Sequence, residues 1–442
     1  MTQGHVVIAG LGNTGLSVAR HLAARGWRLA GTDTRDTPPG LDALRAIQAD
    51  MPLRCGGLDA TLLDGAACIV ASPGLALDEP FFSRARERGI AVIGDIELFA
   101  RAVNARVVGI TGTNGKSTVT TLVARMAQRA GLAARAGGNL GPPALDLLDG
   151  EPADLYVLEL SSYQLETTES LRLVAATVLN VTPDHMDRYA DLQAYADAKA
   201  RIFRHCGWAV VNVDDPLVAR MPAQGQARLG FSLDATTGAD YTIRRHDSVW
   251  WLARGAERLL AVDAMRIRGL HNAANALAAL ALGEAIGLPR EAMLAELREF
   301  PGLPHRAEWV ADLDGVQYVN DSKGTNVGST LAAVAGFEGS LIVIAGGDGK
   351  NQDFSPLKAA FAGKVRHAVL IGRDAPQLAT ALDGACTIER AGTLEEAVAA
   401  ARRVARPGET VLLSPACASL DMFKDYTHRG AVFAAAVKGM AA

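Results

Sequence analysis

Short apolar runs alternate with amphipathic segments along most of this 442-residue chain. Near the N-terminus, apolar runs at 6–9, 68–71 and 91–93 predict buried strands, and the spacing over 16–24 predicts a helix. Such alternation is typical of a doubly wound α/β unit with a parallel sheet. We therefore predict a first, Rossmann-like domain over 1–95.

A second alternating segment begins near Arg106. It predicts strands at 106–111, 155–160, 176–181 and 209–213, and helices at 116–126 and 192–203. Period-two patterns with turn residues over 230–262 predict antiparallel strands, and the Ala-rich run 273–288 predicts a buried helix. These elements indicate a central P-loop, mononucleotide-binding α/β domain over 96–302.

Two prolines and a glycine within residues 300–306 prevent a continuous helix and predict a domain boundary. The α/β alternation returns at Gln317. It predicts strands at 341–345, 368–371 and 410–413. A third, Rossmann-like domain is therefore predicted over 303–442.

Composition narrows the function classes. Hydrophobic residues make up 49% of the chain and charged residues 21%, and the net charge is −4. The absence of a basic block argues against nucleic acid as a partner, and no apolar run is long enough to predict a membrane span. Five cysteines without metal-ligand spacing fit a reducing compartment, so we predict a cytoplasmic location.

Residues 109–118 read Gly-Ile-Thr-Gly-Thr-Asn-Gly-Lys-Ser-Thr, between a predicted strand and a predicted helix. Amides at such a turn face an anion, the lysine supplies charge for the β- and γ-phosphates, and a hydroxyl can hold Mg²⁺. The motif is shorter than a full Walker A sequence, because Ile110 stands where its first glycine is required. An ordinary glycine-rich turn is the alternative. The predicted ATP site consists of Gly112, Thr113, Asn114, Gly115, Lys116, Ser117 and Thr118.

Gly10, Gly12 and Gly15 form a GxGxxG motif after the first predicted strand, and Asp33 lies at the end of the next. This context ordinarily indicates a dinucleotide. Physically, the motif requires only that the backbone comes close to a diphosphate beside a helix N-terminus. The diphosphate of UDP meets this requirement equally well. NAD(P), UDP and a plain tight turn therefore stay open on this motif alone.

Polar residues follow two predicted strands of the central domain, at the sheet edge where ligands bind in parallel α/β folds. Glu159 can complete a magnesium shell, although the pattern alone favours a solvated strand end. Asp184, His185 and Asp187 are close enough in sequence to ligate a metal, although such residues are also common in ordinary loops. Lys199 lies on a predicted helix and, by pattern alone, is a surface lysine.

Three loops of the third domain place polar side chains at the end of a predicted strand. Residues 320–326 contain Lys323 and Thr325 and begin a predicted helix, which makes a small anion site. Loops 346–350 and 414–419 repeat this arrangement after later strands. Together they indicate capture of a small polar carboxylate, although each alone could be a glycine-rich turn.

Taken together, these motifs resemble the Mur ligases of peptidoglycan synthesis over nearly the whole chain. The phosphate loop and Leu303-Pro-His-Arg306 are also found in folylpolyglutamate synthetases. Segments 33–35, 95–99 and 414–421 resemble more particularly the D-glutamate-adding type of Mur ligase. Further likeness lies at 71–74, 137–139, 159–164, 184–187, 321–326 and 346–350 and at Lys199.

The resemblance implies that the first domain binds UDP, the second ATP and the third an amino acid. The implied reaction is ATP-dependent ligation of D-glutamate to UDP-N-acetylmuramoyl-L-alanine through an acyl phosphate, by a monomer. Substrate-binding residues are implied at Asn13, Thr14, Asp33, Thr34, Arg35, Ser72, Gly74, Asn139, Ser161, Gln164, Lys323, Thr325, Ser419 and Tyr426. Further ATP contacts are implied at Asn272, Asn275, Arg306 and Asp321. Asn13 and Tyr426 stand where a member of the D-glutamate-adding type has leucine and phenylalanine.

The resemblance also implies two Mg²⁺ sites, one at Ser117 and Glu159 and the other at His185 and Lys199. In this family the matching lysine is carbamylated by CO₂, which converts an ammonium into a carboxylate-like ligand. Only a screened, partly deprotonated lysine reacts in this way. Catalytic roles are implied for Lys116, His185, Lys199 and Lys350.

Three other interpretations stay open from the sequence. A folylpolyglutamate synthetase or another Mur ligase shares the ATP loop but not the segment Asp33-Thr-Arg35. A nucleotide-dependent oxidoreductase binds NAD(P) and consumes no ATP. A non-catalytic nucleotide-binding module leaves Glu159, His185 and Lys199 without a shared purpose.

Overall fold

The strands of this computed structural model, which describes residues 4–267, 269–337 and 339–440, form three sheets of five, nine and six strands. The sheets follow one another along the chain, and each is flanked by helices. We call each sheet with its helices a unit. The predicted α/β fold with three units in series is confirmed, whereas the limits at 95/96 and 302/303 stay predictions.

The first unit has five strands and four helices. They are β1 (His5–Ala9), α1 (Asn13–Ala23), β2 (Leu29–Asp33), α2 (Leu41–Ile47), β3 (Leu53–Cys55), β4 (Ala66–Ala71), α3 (Pro80–Glu87), β5 (Ala91–Ile93) and α4 (Asp95–Ala102). The sheet order is β3-β2-β1-β4-β5, and every pair is parallel. A Cβ on Gly15 would stand 2.1 Å from the Gly10 carbonyl oxygen, so this glycine lets α1 pack closely on the turn after β1.

The central unit contains nine strands and five helices. They are β6 (Arg106–Thr111), α5 (Lys116–Arg129), β7 (Ala134–Gly138), β8 (Leu155–Glu159), α6 (Ser162–Glu166), β9 (Leu173–Val178), α7 (Leu192–Ala200), β10 (Cys206–Asn212), β11 (Arg228–Ser232), β12 (Tyr241–His246), β13 (Val249–Arg254), β14 (Glu257–Ala261), α8 (Leu270–Ala285) and α9 (Arg290–Glu299). The sheet order is β14-β13-β12-β11-β10-β9-β6-β8-β7. Three adjacent strands, β9, β6 and β8, therefore place the loops at their carboxyl ends side by side.

Two predictions for the central sheet were partly wrong. Strand β9 ends at Val178 rather than at 181, because Asn180 bonds the phosphate loop: its carbonyl accepts from the Thr113 amide at 2.9 Å and its side chain from the Asn114 amide at 2.8 Å. The segment 230–262 is antiparallel only from β12 to β14, since β11 pairs parallel with both β10 and β12.

The third unit contains six strands and five helices. They are β15 (Glu308–Leu313), β16 (Val316–Asn320), α10 (Val327–Gly336), β17 (Leu341–Gly346), α11 (Ser355–Phe361), β18 (Val365–Ile371), α12 (Ala375–Ala381), β19 (Thr387–Arg390), α13 (Leu394–Val404), β20 (Thr410–Leu413) and α14 (Tyr426–Gly439). The sheet order is β15-β16-β20-β17-β18-β19. Strands β16, β20 and β17 are adjacent, so the loops 320–326, 414–419 and 346–350 lie at one edge.

The sequence analysis missed β15, which forms an antiparallel hairpin with β16. Asp314 and Gly315 connect the two strands with φ angles of 53° and 75°, as two-residue hairpin turns require. Of the three loops, only 320–326 leads directly into a helix, as predicted, since α11 begins at Ser355 and α14 at Tyr426.

An apolar core joins the first two units. One continuous cluster of buried side chains runs from Val6 and Ile8 through α4 to Leu158 and Leu160. At its centre the rings of Phe99 and Tyr156 meet edge to face, with their centroids 5.4 Å apart. No helix among the described residues is both long and apolar enough to cross a membrane.

Replacing Gly15 with alanine will weaken the first unit. The added methyl group collides with the Gly10 carbonyl, which forces α1 away from the sheet at a cost of about 1–3 kcal/mol. Hydrogen exchange of peptides from 5–24 measures this cost as a lower opening free energy. Gly439→Ala is the control, because a Cβ there meets nothing within 4 Å. Unchanged exchange in Gly15→Ala would contradict the packing argument.

Candidate active site

A cavity of about 580 Å³ lies between the carboxyl edges of the central and third sheets. Most of the residues predicted for ATP, metal and amino-acid binding line it. They are Thr113, Asn114, Gly115, Lys116, Ser117, Thr118, Asn139, Glu159, Ser161, His185, Lys199, Asn272, Asn275, Arg306, Asp321, Lys323, Thr325 and Lys350. Residues far apart in sequence thus line one cavity.

The phosphate loop has the backbone shape that its glycines predict. Gly112 and Gly115 adopt φ angles of 146° and 84°, and α5 begins at Lys116. The Lys116 ammonium donates to the carbonyls of Gly112 at 2.9 Å and Thr113 at 2.8 Å. A Cβ on Gly115 would stand 2.4 Å from Oδ1 of Asn275, so only glycine lets α8 approach the loop this closely. The loop has the amides, charge and space that a nucleotide phosphate needs.

Glu159 is the buried carboxylate of the site, with 3% of its surface exposed. Its Oε2 accepts a hydrogen bond from the Ser117 hydroxyl at 2.6 Å, and its Oε1 accepts one from the side-chain amide Nδ2 of Asn139 at 2.6 Å. Arg306, which belongs to the third unit, donates to the same hydroxyl of Ser117. Ser117 and Glu159, which were predicted together as Mg²⁺ ligands, therefore lie side by side, and the third unit contacts Ser117 directly.

Lys199 is 1% exposed, which shows that the surface position favoured by its pattern was wrong. Its ammonium donates to the Gly112 carbonyl at 3.1 Å and lies 4.2 Å from the centroid of the Tyr195 ring. Burial, followed by repulsion from Lys116, lowers the pKa of Lys199 well below its ordinary value, although Asp184 and Glu159 oppose the change.

His185 lies at the cavity wall with a left-handed backbone, φ 58°. Its ring centroid is 5.1 Å from that of Tyr163, and its Nε2 is 3.8 Å from Oδ2 of Asp184. Burial lowers the pKa of His185, and nearby lysines, led by Lys350, add to this effect. A neutral imidazole is the form that ligates metals.

Third-unit groups also titrate unusually. Burial raises the pKa of Asp321 to about 7, although its carboxylate accepts hydrogen bonds from Ser414 Oγ at 2.9 Å and the Ala307 amide at 3.2 Å. Burial, together with the charge of Arg306, lowers the pKa of Lys323 to about 8. The Lys323 ammonium lies 3.9 Å from the centroid of the Tyr426 ring.

Three family models match successive parts of the chain. A Mur ligase MurD-like N-terminal domain matches 4–94, a Mur ligase middle domain matches 110–283 and a Mur ligase glutamate ligase domain matches 305–417. The chain belongs to the Mur ligase family. The GxGxxG turn is thus part of a ligase rather than of an oxidoreductase.

Individual Mur ligases are similar to the chain over nearly its whole length. The UDP-N-acetylmuramoylalanine–D-glutamate ligase of Nitrosococcus oceani is 54% identical over 434 residues, which cover 98% of this chain and 96% of the relative. The Methylobacillus flagellatus ligase of the same name is 53% identical over 436 residues, with coverage of 98% and 96%.

Solved structures of other Mur ligases confirm the fold. The UDP-N-acetylmuramate-alanine ligase of Thermotoga maritima superposes with a TM-score of 0.62 at 18% identity, over 99% of this chain and 100% of the other. A pseudomurein peptide ligase type C from Methanothermus fervidus gives 0.63 at 18% identity, with the same coverage. At this level of identity the comparison concerns the fold alone.

The predicted UDP-binding residues of this Mur ligase lie outside the cavity, at the carboxyl edge of the first sheet. They are Asn13, Thr14, Asp33, Thr34, Arg35, Ser72 and Gly74. Asp33 is buried, accepts from the Leu11 amide at 2.7 Å and pairs with Arg35 at 2.8 Å. Burial alone would raise its pKa, but the hydrogen bonds from Arg35 and Leu11 lower it to about 2. Ser72 Oγ donates to the Gly10 carbonyl at 2.9 Å.

Four other predicted residues also do not line the cavity. The Gly112 carbonyl instead orients Lys116 and Lys199, and Tyr426 lies beneath Lys323. Gln164 is buried: its side chain accepts from the Ser161 amide at 3.1 Å in a capping box and donates to Asp95 at 3.2 Å. Ser419, the fourth, is also buried. Direct substrate contact by Gln164 and Ser419 stays a prediction.

Arg429 is a positioning residue that the sequence analysis missed. It is 0% exposed and lies on α14. Its guanidinium donates to Ser322 O at 2.8 Å, Ser322 Oγ at 3.0 Å, Cys417 O at 3.1 Å and Ala418 O at 3.3 Å. It thereby joins the loops 320–326 and 414–419. An isolated arginine within a helix carries no sequence signal for such a role.

The sequence analysis also missed polar contacts between the central and third units. Asn114 Oδ1 accepts from Ser329 Oγ at 2.6 Å, and Asp184 Oδ2 accepts from Asn326 Nδ2 at 3.1 Å. Asn326 also caps α10 by accepting from the Ser329 amide at 2.8 Å. The helix cap could be recognised from the sequence. The contact between Asn326 and Asp184, 142 residues apart, could not.

Proposed function

We propose that this Mur ligase joins D-glutamate to UDP-N-acetylmuramoyl-L-alanine with cleavage of ATP to ADP and phosphate. The observation that carries the proposal is the single cavity in which a phosphate loop, the buried Glu159 and the lysines of the third unit meet. The substrates follow from the names of relatives that are more than 50% identical over nearly the whole chain. The enzyme acts in the cytoplasm as a monomer.

In the proposed reaction the carboxylate of the UDP substrate attacks the γ-phosphorus of ATP. ADP leaves and an acyl phosphate forms; the D-glutamate amine then attacks the acyl carbon and phosphate leaves. Catalysis of such transfers is mainly positioning and charge neutralisation. Lys116 and Arg306 neutralise the phosphates, Asn272 and Asn275 contact adenine, and Asp321 binds the ribose.

Two side chains of this protein suit one Mg²⁺ without any modification. Mg²⁺ prefers oxygen ligands, and the Ser117 hydroxyl and Glu159 carboxylate are such a pair, 2.6 Å apart. When bound, Mg²⁺ neutralises charge on the phosphates. His185 and unmodified Lys199 fit a second ion less simply, because an ammonium group cannot ligate a cation. No group of three or more His, Cys, Asp or Glu residues suited to a metal occurs among the described residues.

Carbamylation of Lys199 resolves this misfit. The neutral amine attacks CO₂, a C–N bond forms, and loss of one proton leaves an N-carboxylate with two ligating oxygens. Burial of Lys199 against Lys116 favours the neutral amine that this step requires. The carbamate and His185 would then be the ligands for a second Mg²⁺.

The remaining predicted residues bind D-glutamate and the UDP substrate. Lys323 attracts the D-glutamate carboxylates, Thr325 and Ser419 donate hydrogen bonds to them, and Lys350 acts nearby as a catalytic residue. Tyr426 packs beneath Lys323. The first unit holds UDP through the turn after β1 and the Asp33–Arg35 segment. Ser161 and Gln164 contact the muramoyl group, and Asn139 contacts the reacting phosphates or the substrate.

Phosphate release tests the reaction and its amino acid. The enzyme is given ATP and UDP-N-acetylmuramoyl-L-alanine with D-glutamate, L-glutamate, L-lysine or meso-diaminopimelate. We expect release with D-glutamate alone, and background release from Lys116→Ala, which lacks the loop charge. Release that ignores D-glutamate would overturn the substrate assignment.

Lys199→Ala is expected to lose nearly all activity, because it removes the carbamate oxygens. In parallel, ¹³C NMR of wild-type enzyme equilibrated with ¹³CO₂ should show a carbamate carbon that is absent from the variant. Lys438→Ala, at an exposed position of α14, should keep both the activity and the signal. A substantially active Lys199→Ala enzyme would contradict the proposed role of the Lys199 carbamate.

The KM for D-glutamate should rise about tenfold between pH 7 and pH 9, because Lys323, with its pKa of about 8, loses its charge over this range. Lys323→Arg keeps its charge, so its profile should be flat even if binding at pH 7 is weaker. The KM for ATP over the same range is the control. A variant that retains the wild-type pH dependence would show that Lys323 is not the titrating group.

A further inference from the structure

Arg188 connects the first unit to the loop that carries His185. Its Nη2 donates to the carbonyl oxygen of Leu75 at 2.6 Å, across 113 residues of sequence. The side chain is only 18% exposed, so this contact is shielded from solvent. The sequence analysis gave Arg188 no role.

On the first-unit side, Leu75 belongs to the loop after β4 that contains Ser72. Its amide donates to the Ser72 carbonyl at 3.1 Å, and Ser72 Oγ donates to the Gly10 carbonyl at 2.9 Å. A Cβ on Gly10 would lie 3.5 Å from the Leu75 side chain. The carbonyl held by Arg188 is therefore attached to the glycine turn of the proposed UDP site.

On the central side, the guanidinium carbon of Arg188 lies 4.4 Å from the centroid of the Tyr163 ring. The same ring meets His185 at 5.1 Å and stacks on Tyr189 at 5.9 Å, with 12° between the planes. The Tyr189 hydroxyl donates to Glu166 at 2.6 Å, and Arg188 lies 3.9 Å from that carboxylate. One contiguous packed cluster thus runs from Leu75 to His185.

The backbone adds a second connection. His185 has φ 58°, a conformation costly for a residue with a side chain. Its carbonyl accepts from the amides of Arg188 at 2.9 Å and Tyr189 at 3.1 Å. Fixing the Arg188 side chain therefore also fixes the turn that holds His185 in this conformation.

We propose that Arg188 is a positioning residue that couples occupancy of the UDP site to the placement of His185. Because the UDP site is part of the proposed function, the inference rests on that function. A ligand that orders the Gly10 turn also orders Ser72 and Leu75. Because Arg188 contacts both Leu75 and Tyr163, it then also restricts the positions of Tyr163 and His185. The planar guanidinium can donate to a carbonyl and stack on a ring at once, which lysine does poorly.

The kinetic test compares two substrates, UDP-N-acetylmuramoyl-L-alanine and its 1-phosphate analogue without the uridine monophosphate. In wild-type enzyme the full substrate should give the higher kcat. We expect Arg188→Met to lower the ratio of the two kcat values at least tenfold, mainly by slowing the full substrate. Arg188→Lys should fall between the two.

Two further variants sharpen this result. Tyr163→Leu interrupts the cluster beyond Arg188, so it should lower the same ratio, and the double variant should add little to either single change. Arg172→Met, at an exposed position, should leave the ratio unchanged. An effect of Arg188→Met on KM alone, or an equal loss with both substrates, would overturn the proposal.

Hydrogen exchange with UDP alone tests the coupling without catalysis. In wild-type enzyme UDP should slow exchange in peptides from 8–15, 69–77 and 182–189. In Arg188→Met, protection of the first two should persist while that of 182–189 disappears.

The exchange outcomes separate the two proposals. Persistent protection of 182–189 in Arg188→Met, or its absence in wild-type enzyme that protects 8–15, would overturn the coupling alone. Failure of UDP to protect 8–15 would overturn the UDP site of the proposed function together with the coupling.

Discussion

The burial of several positive charges around one phosphate loop is the constraint on which this molecule depends. Lys116, Arg306 and Lys323 face the same cavity, together with the carboxylates of Glu159, Asp184 and Asp321. An unbalanced charge in a poorly hydrated site is costly. The cations beside the phosphate loop therefore suit an anionic ligand, whose phosphates would balance them.

The same charges lie where the central and third units meet. Arg306 reaches Ser117, and Asn326 reaches Asp184, so the contact between these units is built from polar groups that border the ligand. The first two units are joined differently, by an apolar core centred on Phe99 and Tyr156. Polar interfaces between units open more readily than apolar ones. A ligand in the cavity would therefore border the second interface, whereas the first is held by apolar packing.

Local signals predicted the parts of this structure that depend on local sequence. Strands β6 and β20 and the start of α5 were predicted to the residue, because apolar runs ended at glycine-rich or polar turns. Hairpin β15–β16 had a readable signal in Asp314-Gly315 that was not used. Lys199 is different: its burial arises from packing against the loop of another strand, which no helix pattern can express. Its site role came from family resemblance alone.

Three of the site residues that were missed share one property. Asn180, Arg188 and Arg429 each bond backbone carbonyls or amides of distant loops, and such partners have no side-chain identity for a motif to record. The side chains that line the cavity could be listed from motifs. The groups that hold those loops in register could be found only from coordinates.

Arg429 shows what such a group contributes. Its partners are carbonyl and hydroxyl oxygens, none of which gains or loses a proton in the working range of an enzyme. Burial lowers the pKa of Arg429, but only to about 10, so the guanidinium also stays charged. The Arg429 contacts between the third-unit loops are therefore insensitive to acidity, whereas Asp321 and Lys323 on those loops titrate near neutral pH. A change of pH thus alters the charge presented by these loops while the Arg429 contacts persist.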